Sequence, residues 1–132
     1  MPGNLILVAD DDRVLSGLLT TFLRDQGFEV EGTFDALQTW MVALRTRPAA
    51  ILLDIKMPGG TGLDVLKKLK GSTKTNSIPV IAISAVNDPT LPTKAKSLGA
   101  EEFMAKPLDL PQVYEVLCRL LGKNPPASAP TA

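Results

Sequence analysis

Five times along this chain a short strand-like run gives way to a stretch with helical periodicity, and that alternation leaves few folds open. The runs cover residues 5–9, 28–31, 50–53, 78–83 and 102–105. Short continuous apolar runs are the signature of strands buried on both faces. Each strand leads into a helix that must cross the sheet before the next begins. The strands are therefore expected to run parallel, with helices on both faces, in an α/β fold.

The helices have readable faces and ends. The first is capped by Asp12, carries Leu15, Leu18, Leu19, Phe22 and Leu23 as one stripe, and stops at Gly27. Asp35 is the expected cap of the second, where Leu37, Trp40, Met41 and Leu44 share a face and Pro48 ends the run. Trp40 reads there as a packing residue. The third, residues 62–70, turns Leu63, Leu66 and Leu69 inward and leaves the lysines at 67, 68 and 70 as a solvated face. Pro89 and Pro92 predict an irregular start to a short fourth helix that ends at Leu98 and Gly99. The fifth begins on an Asp109/Gln112 capping pair, buries Val113, Val116, Leu117, Leu120 and Leu121, and closes at Gly122. Cys118 falls on or beside that apolar face. The ten residues from Lys123 are rich in Pro, Ala, Ser and Thr, a composition expected of a disordered tail or the start of a linker. Residues 1–122 are thus read as one domain.

Composition excludes several classes of function. The 132 residues carry no net formal charge, so nothing global favours nucleic acid. A single cysteine excludes an internal disulfide, and the N-terminus lacks a signal peptide's basic and apolar regions. A cytoplasmic protein without membrane association is the expectation. There is no histidine, which removes imidazole catalysis and imidazole metal ligands. A metal site would have to be built from oxygen, which suits a hard divalent cation.

In a parallel sheet all the strand ends that precede helices share one rim, where α/β sheets bind their ligands. Four of the five strands deliver a polar residue to it: Asp10 and Asp11, Asp54, Ser84, and Lys106. Three carboxylates at one point repel each other, and a divalent cation relieves that repulsion. Such a cation also binds phosphoryl oxygens, with a hydroxyl and an ammonium available for the remaining ones. In that setting Asp54 is a nucleophile that forms an acyl phosphate.

The segments Leu7-Val8-Ala9-Asp10-Asp11-Asp12, Leu52-Leu53-Asp54-Ile55-Lys56-Met57-Pro58-Gly59, Ser84-Ala85 and Phe103-Met104-Ala105-Lys106-Pro107 together resemble the receiver domain of two-component response regulators. The resemblance runs from about Leu5 to Leu121. It implies a flavodoxin-like doubly wound (βα)5 sandwich with strand order 2-1-3-4-5. It implies Mg2+ (or Mn2+) held by Asp11, Asp54 and the backbone carbonyl of Lys56, with Asp10 acting mainly through water. It further implies that Asp54 accepts phosphoryl from a phosphohistidine on a sensor histidine kinase or phosphotransfer protein. Ser84 and Lys106 would contact the phosphoryl group and Phe103 would be the switch aromatic. Partners would engage the face from the fourth helix to the last. The domain would be a regulatory phosphoacceptor, not an enzyme, with only self-phosphorylation and self-dephosphorylation chemistry.

Two departures from the family's pattern stand out. The turn after Asp54 lacks the acid many members carry, while Gly62 is kept. Lys56, two residues past the acceptor, is unusual and is expected to modulate the lifetime of the acyl phosphate. A flavodoxin-like electron carrier would need a hydroxyl- and Gly-rich phosphate loop where three acids stand. A phosphohydrolase using an aspartyl nucleophile would want an acid/base at position 56. The remaining alternatives are a receiver module cut from a larger response regulator or hybrid kinase, and an unphosphorylated receiver-like interaction module.

Overall fold

The computed structural model of the chain describes residues 4–56, 62–85 and 88–122. The five apolar runs form strands β1 (Leu5–Ala9), β2 (Glu29–Thr33), β3 (Ala50–Asp54), β4 (Val80–Ala85) and β5 (Glu102–Lys106). All pair in parallel, in the order β2-β1-β3-β4-β5. The helices are α1 (Arg13–Asp25), α2 (Ala36–Thr46), α3 (Gly62–Gly71), α4 (Leu91–Ser97) and α5 (Leu110–Leu120). This is the expected doubly wound (βα)5 sandwich. The turn predicted across residues 57–61, the segment 86–87 and the tail 123–132 lie outside the described residues.

The strict twofold alternation of side chains along each strand splits the core in two. Leu7, Ala9, Ile51, Leu53, Val80 and Ala82 face α2, α3 and α4. Ile6, Val8, Ala50, Leu52, Ile81 and Ile83 face α1 and α5. Each large aliphatic side chain fully buried in these layers contributes about 1.5–3 kcal/mol. The caps form as expected: Asp12 accepts from the N–H groups of Val14 and Leu15, Asp35 from Gln38, and Asp109 from Gln112. Gly27, at φ +98°, follows α1 as its left-handed terminator. Thr90 precedes α4 without a side-chain cap, in keeping with the irregular start predicted there.

Three expectations are corrected. The stripe predicted for α1 includes Leu18, which is 55% exposed, while Ser16 is buried. α1 approaches β2 through its small side chain, with Ser16 set close over Gly32, and this rotates Leu18 outward. In α2 the rotation is larger. The buried face is Ala36, Thr39, Val42 and Ala43, and Leu37 and Met41 are 63% and 56% exposed. Thr39 fixes that rotation through a buried 2.8 Å hydrogen bond with the Thr33 hydroxyl, and it donates to the Asp35 carbonyl. The third correction is Lys70. Its ammonium is not solvated on the α3 face but reaches the carbonyl of Ile78 at 2.9 Å and Glu101 at 3.0 Å.

Strand limits also shift. β2 begins one residue after Phe28, whose ring turns into the core beneath Tyr114. β4 begins at Val80 and extends to Ala85. Pro79 stays outside it as a carbonyl acceptor for the Ile51 N–H.

Candidate functional site

Asp54 is the last residue of a fully buried strand, and every route for its carboxylate leads to the rim. β3 lies at the centre of the sheet, flanked by β1 and β4, so Asp54 is itself buried. Its Oδ1 accepts the Lys56 backbone N–H at 3.0 Å, and its Oδ2 lies 3.2 Å from the Lys106 ammonium. Gly62 makes this approach possible. The Gly62 N–H donates to the Ile55 carbonyl at 2.6 Å. A Cβ on Gly62 would collide with the Asp54 carbonyl oxygen and the Ile55 Cα, and would lie 2.8 Å from the Ile55 carbonyl carbon.

The acidic run after β1 divides its labour. Asp10 is buried, held by its N–H on the Thr33 carbonyl, and its Oδ1 accepts the Asp12 N–H at 2.9 Å. Asp11 is exposed above it. Asp12 is spent on capping α1. Carboxylate oxygens of Asp10, Asp11 and Asp54 come within 4.8 Å of one another. Lys106, at the end of β5, spans Asp10 and Asp54 at 3.1 and 3.2 Å. The Lys106–Pro107 peptide that follows it is cis.

Burial raises the Asp54 carboxyl to about 6, and the charge of Asp10 adds to that rise. The Lys56 N–H and the Lys106 ammonium oppose it. For Lys106, burial disfavours the ammonium, but the hydrogen bond to Asp10 and the charge of Asp54 outweigh it and the group is shifted up. One lysine thus stands against two buried acids and an exposed one. Two buried atoms remain without hydrogen-bond partners among the described residues, Asp10 Oδ2 and the Ser84 hydroxyl. Asp10 Oδ2 has the Lys106 charge beside it but not hydrogen-bond geometry. Buried polar atoms are rarely left this way. An oxygen-rich, electron-rich cluster with an orphaned carboxylate oxygen fits a hard divalent cation.

The other predicted residues sit nearby to differing degrees. Ser84 is fully buried, opposite Ala105 in the β4–β5 register. Phe103 lies half-buried on β5, packed against the cluster under α2, α3 and α4, and does not join the acids. Lys56 is exposed, and among the described residues its ammonium makes no ion pair. Beside the acids, the first turns of α1 expose Val14 at 75% and Leu18 at 55%. Of these two, helical spacing alone placed Leu18 inside, and Val14 was not singled out in the sequence.

Residues 6–117 match the family model described as the response regulator receiver domain. The chain is 36% identical over 131 residues to the DNA-binding transcriptional regulator NtrC of Azospirillum brasilense, covering 98% of this chain and 27% of that protein. It is 30% identical over 122 residues to the polar-differentiation response regulator DivK of Brucella anthropi, covering 92% of this chain and 98% of that one. Among solved structures it resembles the receiver domain of a sensor histidine kinase from Pseudomonas aeruginosa, described with a magnesium ion coordinated in its active-site cleft. That match has a TM-score of 0.83 at 26% identity and covers 92% of this chain and 99% of the other. The chain spans about a quarter of the NtrC relatives, 27% and 25% of those from Azospirillum brasilense and Bradyrhizobium.

Proposed function

The chain belongs to the response regulator receiver domain family, whose members are phosphoacceptors of two-component signalling, and from that premise we propose that Asp54 is the residue phosphorylated. The observation that carries this reading is the setting of Asp54. It is a buried carboxyl at the central strand's end, grouped with two further acids and bridged to one of them by a lysine.

A carboxylate oxygen of Asp54 attacks the phosphorus of a phosphohistidine. The O–P bond forms as the P–N bond breaks, and the imidazole leaves with the electron pair and takes up a proton. Lys106 follows the negative charge from the carboxylate to the phosphoryl oxygens. The Ser84 hydroxyl, without a hydrogen-bond partner among the described residues, donates to one of them. Hydrolysis reverses the state: water attacks phosphorus, the O–P bond to Asp54 breaks, and inorganic phosphate leaves. Asp10, Asp11, Asp54 and the Lys56 carbonyl would hold Mg2+, or Mn2+ in its place. Bound there, the ion neutralises the carboxylates and the incoming phosphoryl charge.

The domain acts as a switch rather than as an enzyme that turns over a metabolite. Its donor is a sensor histidine kinase or phosphotransfer protein, and the exposed Val14 and Leu18 beside the acids form an apolar landing strip for it. Phe103, three residues before Lys106 on β5, couples the site to the face from α4 to α5, where the effector binds. Lys56 is exposed two residues beyond the acceptor, and its ammonium lengthens the life of the acyl phosphate by pairing with phosphoryl oxygens or obstructing the attacking water. The domain works in the cytoplasm. Among the described residues no helix is long and apolar enough to cross a membrane. It is not itself a nucleic-acid binder. The greater length of the NtrC relatives favours a second reading, in which this receiver governs further domains of a longer regulator.

Intact-protein mass spectrometry after incubation with acetyl phosphate tests the proposal. One phosphoryl group is expected with Mg2+ and none with chelator or in Asp54→Ala. A phosphoryl group retained in Asp54→Ala overturns the assignment.

A further inference from the structure

Two large apolar side chains of α2, Leu37 and Met41, lie on the side of the helix away from the core, while Trp40 packs in part against it. Ala36, Thr39, Val42 and Ala43 face the sheet. Leu37 and Met41, one turn apart, are 63% and 56% exposed, and the half-buried Trp40 and Leu44 extend the same stripe. Two exposed large apolar residues flanked by two half-buried ones, with the Lys68 ammonium 5.8 Å from the Trp40 ring, exceed the scattered exposure of an ordinary surface. None of them touches the acidic cluster, so phosphoryl chemistry does not explain them.

We propose that this face of α2 is covered by α2 of a second copy of the chain, packed antiparallel about a twofold axis passing between residues 40 and 41. The stripe is self-complementary about that point. Leu37 meets Leu44 of the second copy, and Trp40 meets Met41 of the second copy, on both sides of the axis. This is the reciprocal pattern that an isologous dimer requires. The ends of the helix select the antiparallel direction. The N-terminal end carries Asp35, and the C-terminal end carries Arg47 and Arg45, the latter also paired with Glu31 of its own chain at 3.2 Å. Antiparallel packing sets Asp35 near the arginines of the second copy and opposes the helix dipoles, whereas parallel packing would bring like charges together. With one short helix per protomer the contact is small, and the dimer is accordingly weak and reversible.

Sedimentation velocity on the whole chain over a range of concentrations is the test. A concentration-dependent monomer–dimer equilibrium is expected, weakened at least about tenfold in Leu37→Glu/Met41→Glu. Both sites are exposed, so thermal melting should stay near wild type and report an intact fold. Met41→Cys should cross-link into a disulfide dimer under mild oxidation, while Leu18→Cys, equally exposed on α1, should not. A wild-type chain that stays monomeric at every concentration overturns the proposal. So does a dimer that survives the double substitution, or cross-linking at position 18 but not at 41. Asp54→Ala should dimerise as wild type does, which separates this inference from the phosphoacceptor reading.

Discussion

The two ends of the sheet are built from the same chemistry with opposite outcomes. At the rim where the strands end, Lys106 stands against Asp10 and Asp54. At the rim where they begin, Lys70 stands against Glu101. In the second cluster the accounts of donors and acceptors close: the ammonium also reaches the Ile78 carbonyl, and Glu101 Oε1 accepts the Val80 N–H. In the first they do not. Among the described residues Asp10 Oδ2 and the Ser84 hydroxyl have no hydrogen-bond partner, and Asp54 is lifted to about 6 chiefly by burial. A satisfied cluster stabilises the fold, whereas an unsatisfied one stores affinity for something that brings positive charge or phosphoryl oxygens.

The sharpest way to break this contrast is to remove each lysine. Lys106→Met should lower the rate of acetyl phosphate modification about 100-fold, because the charge that follows the phosphoryl group is gone. An unchanged rate by mass spectrometry would remove Lys106 from the reaction. Gly62→Ala comes next and should cost about 3 kcal/mol in urea denaturation, since the added Cβ has only backbone to displace. Lys70→Met should cost about 2 kcal/mol, by leaving the Ile78 carbonyl and Glu101 short of a donor, with phosphorylation untouched. If Lys70→Met altered the phosphorylation rate instead, the division between the two ends would fail.

Asp54→Asn should act in the opposite direction. A folded-state value near 6 against 3.8 for the free side chain means the native state holds a proton that the unfolded chain has released. Stability of the metal-free protein therefore falls as pH rises from about 4 to about 6 and stays lower above that. At neutral pH the amide should gain about 1–2 kcal/mol and flatten the decline. Melting curves across that range, with chelator and then with excess Mg2+, check both points; Mg2+ should also suppress the decline in the wild type. The smallest effect is expected for Lys56→Ala, a few-fold faster loss of the acyl phosphate, near the strength of an exposed ion pair. An unchanged decay rate discards that role.

Much of this molecule was legible before its structure. The buried strands are continuous apolar runs, and their ends are marked by Asp10, Asp54, Ser84 and Lys106 because a polar residue cannot follow such a run without reaching a rim. Caps at Asp12, Asp35 and Asp109 are local events within three residues. In the Asp10–Asp12 run the cap at Asp12 left Asp10 and Asp11 for the rim, and what adjacency did not reveal is that Asp10 is buried there and Asp11 exposed.

Sequence by itself determined the order of elements, the parallel sheet and the residues delivered to its rim, because these follow from local patterns of polarity. Only the tertiary structure decided how each helix is rotated on the sheet. In α2 the rotation is chosen by the Thr33–Thr39 hydrogen bond and by small side chains that let the helix approach, not by its most hydrophobic stripe. Lys70 followed the same logic, drawn from a solvated face to the Asn76 and Ile78 carbonyls of the segment after α3 and to the distant Glu101. The physical reason is common to both. Periodicity measures what a helix could bury, whereas shape and hydrogen-bond partners across the sheet decide what it does bury.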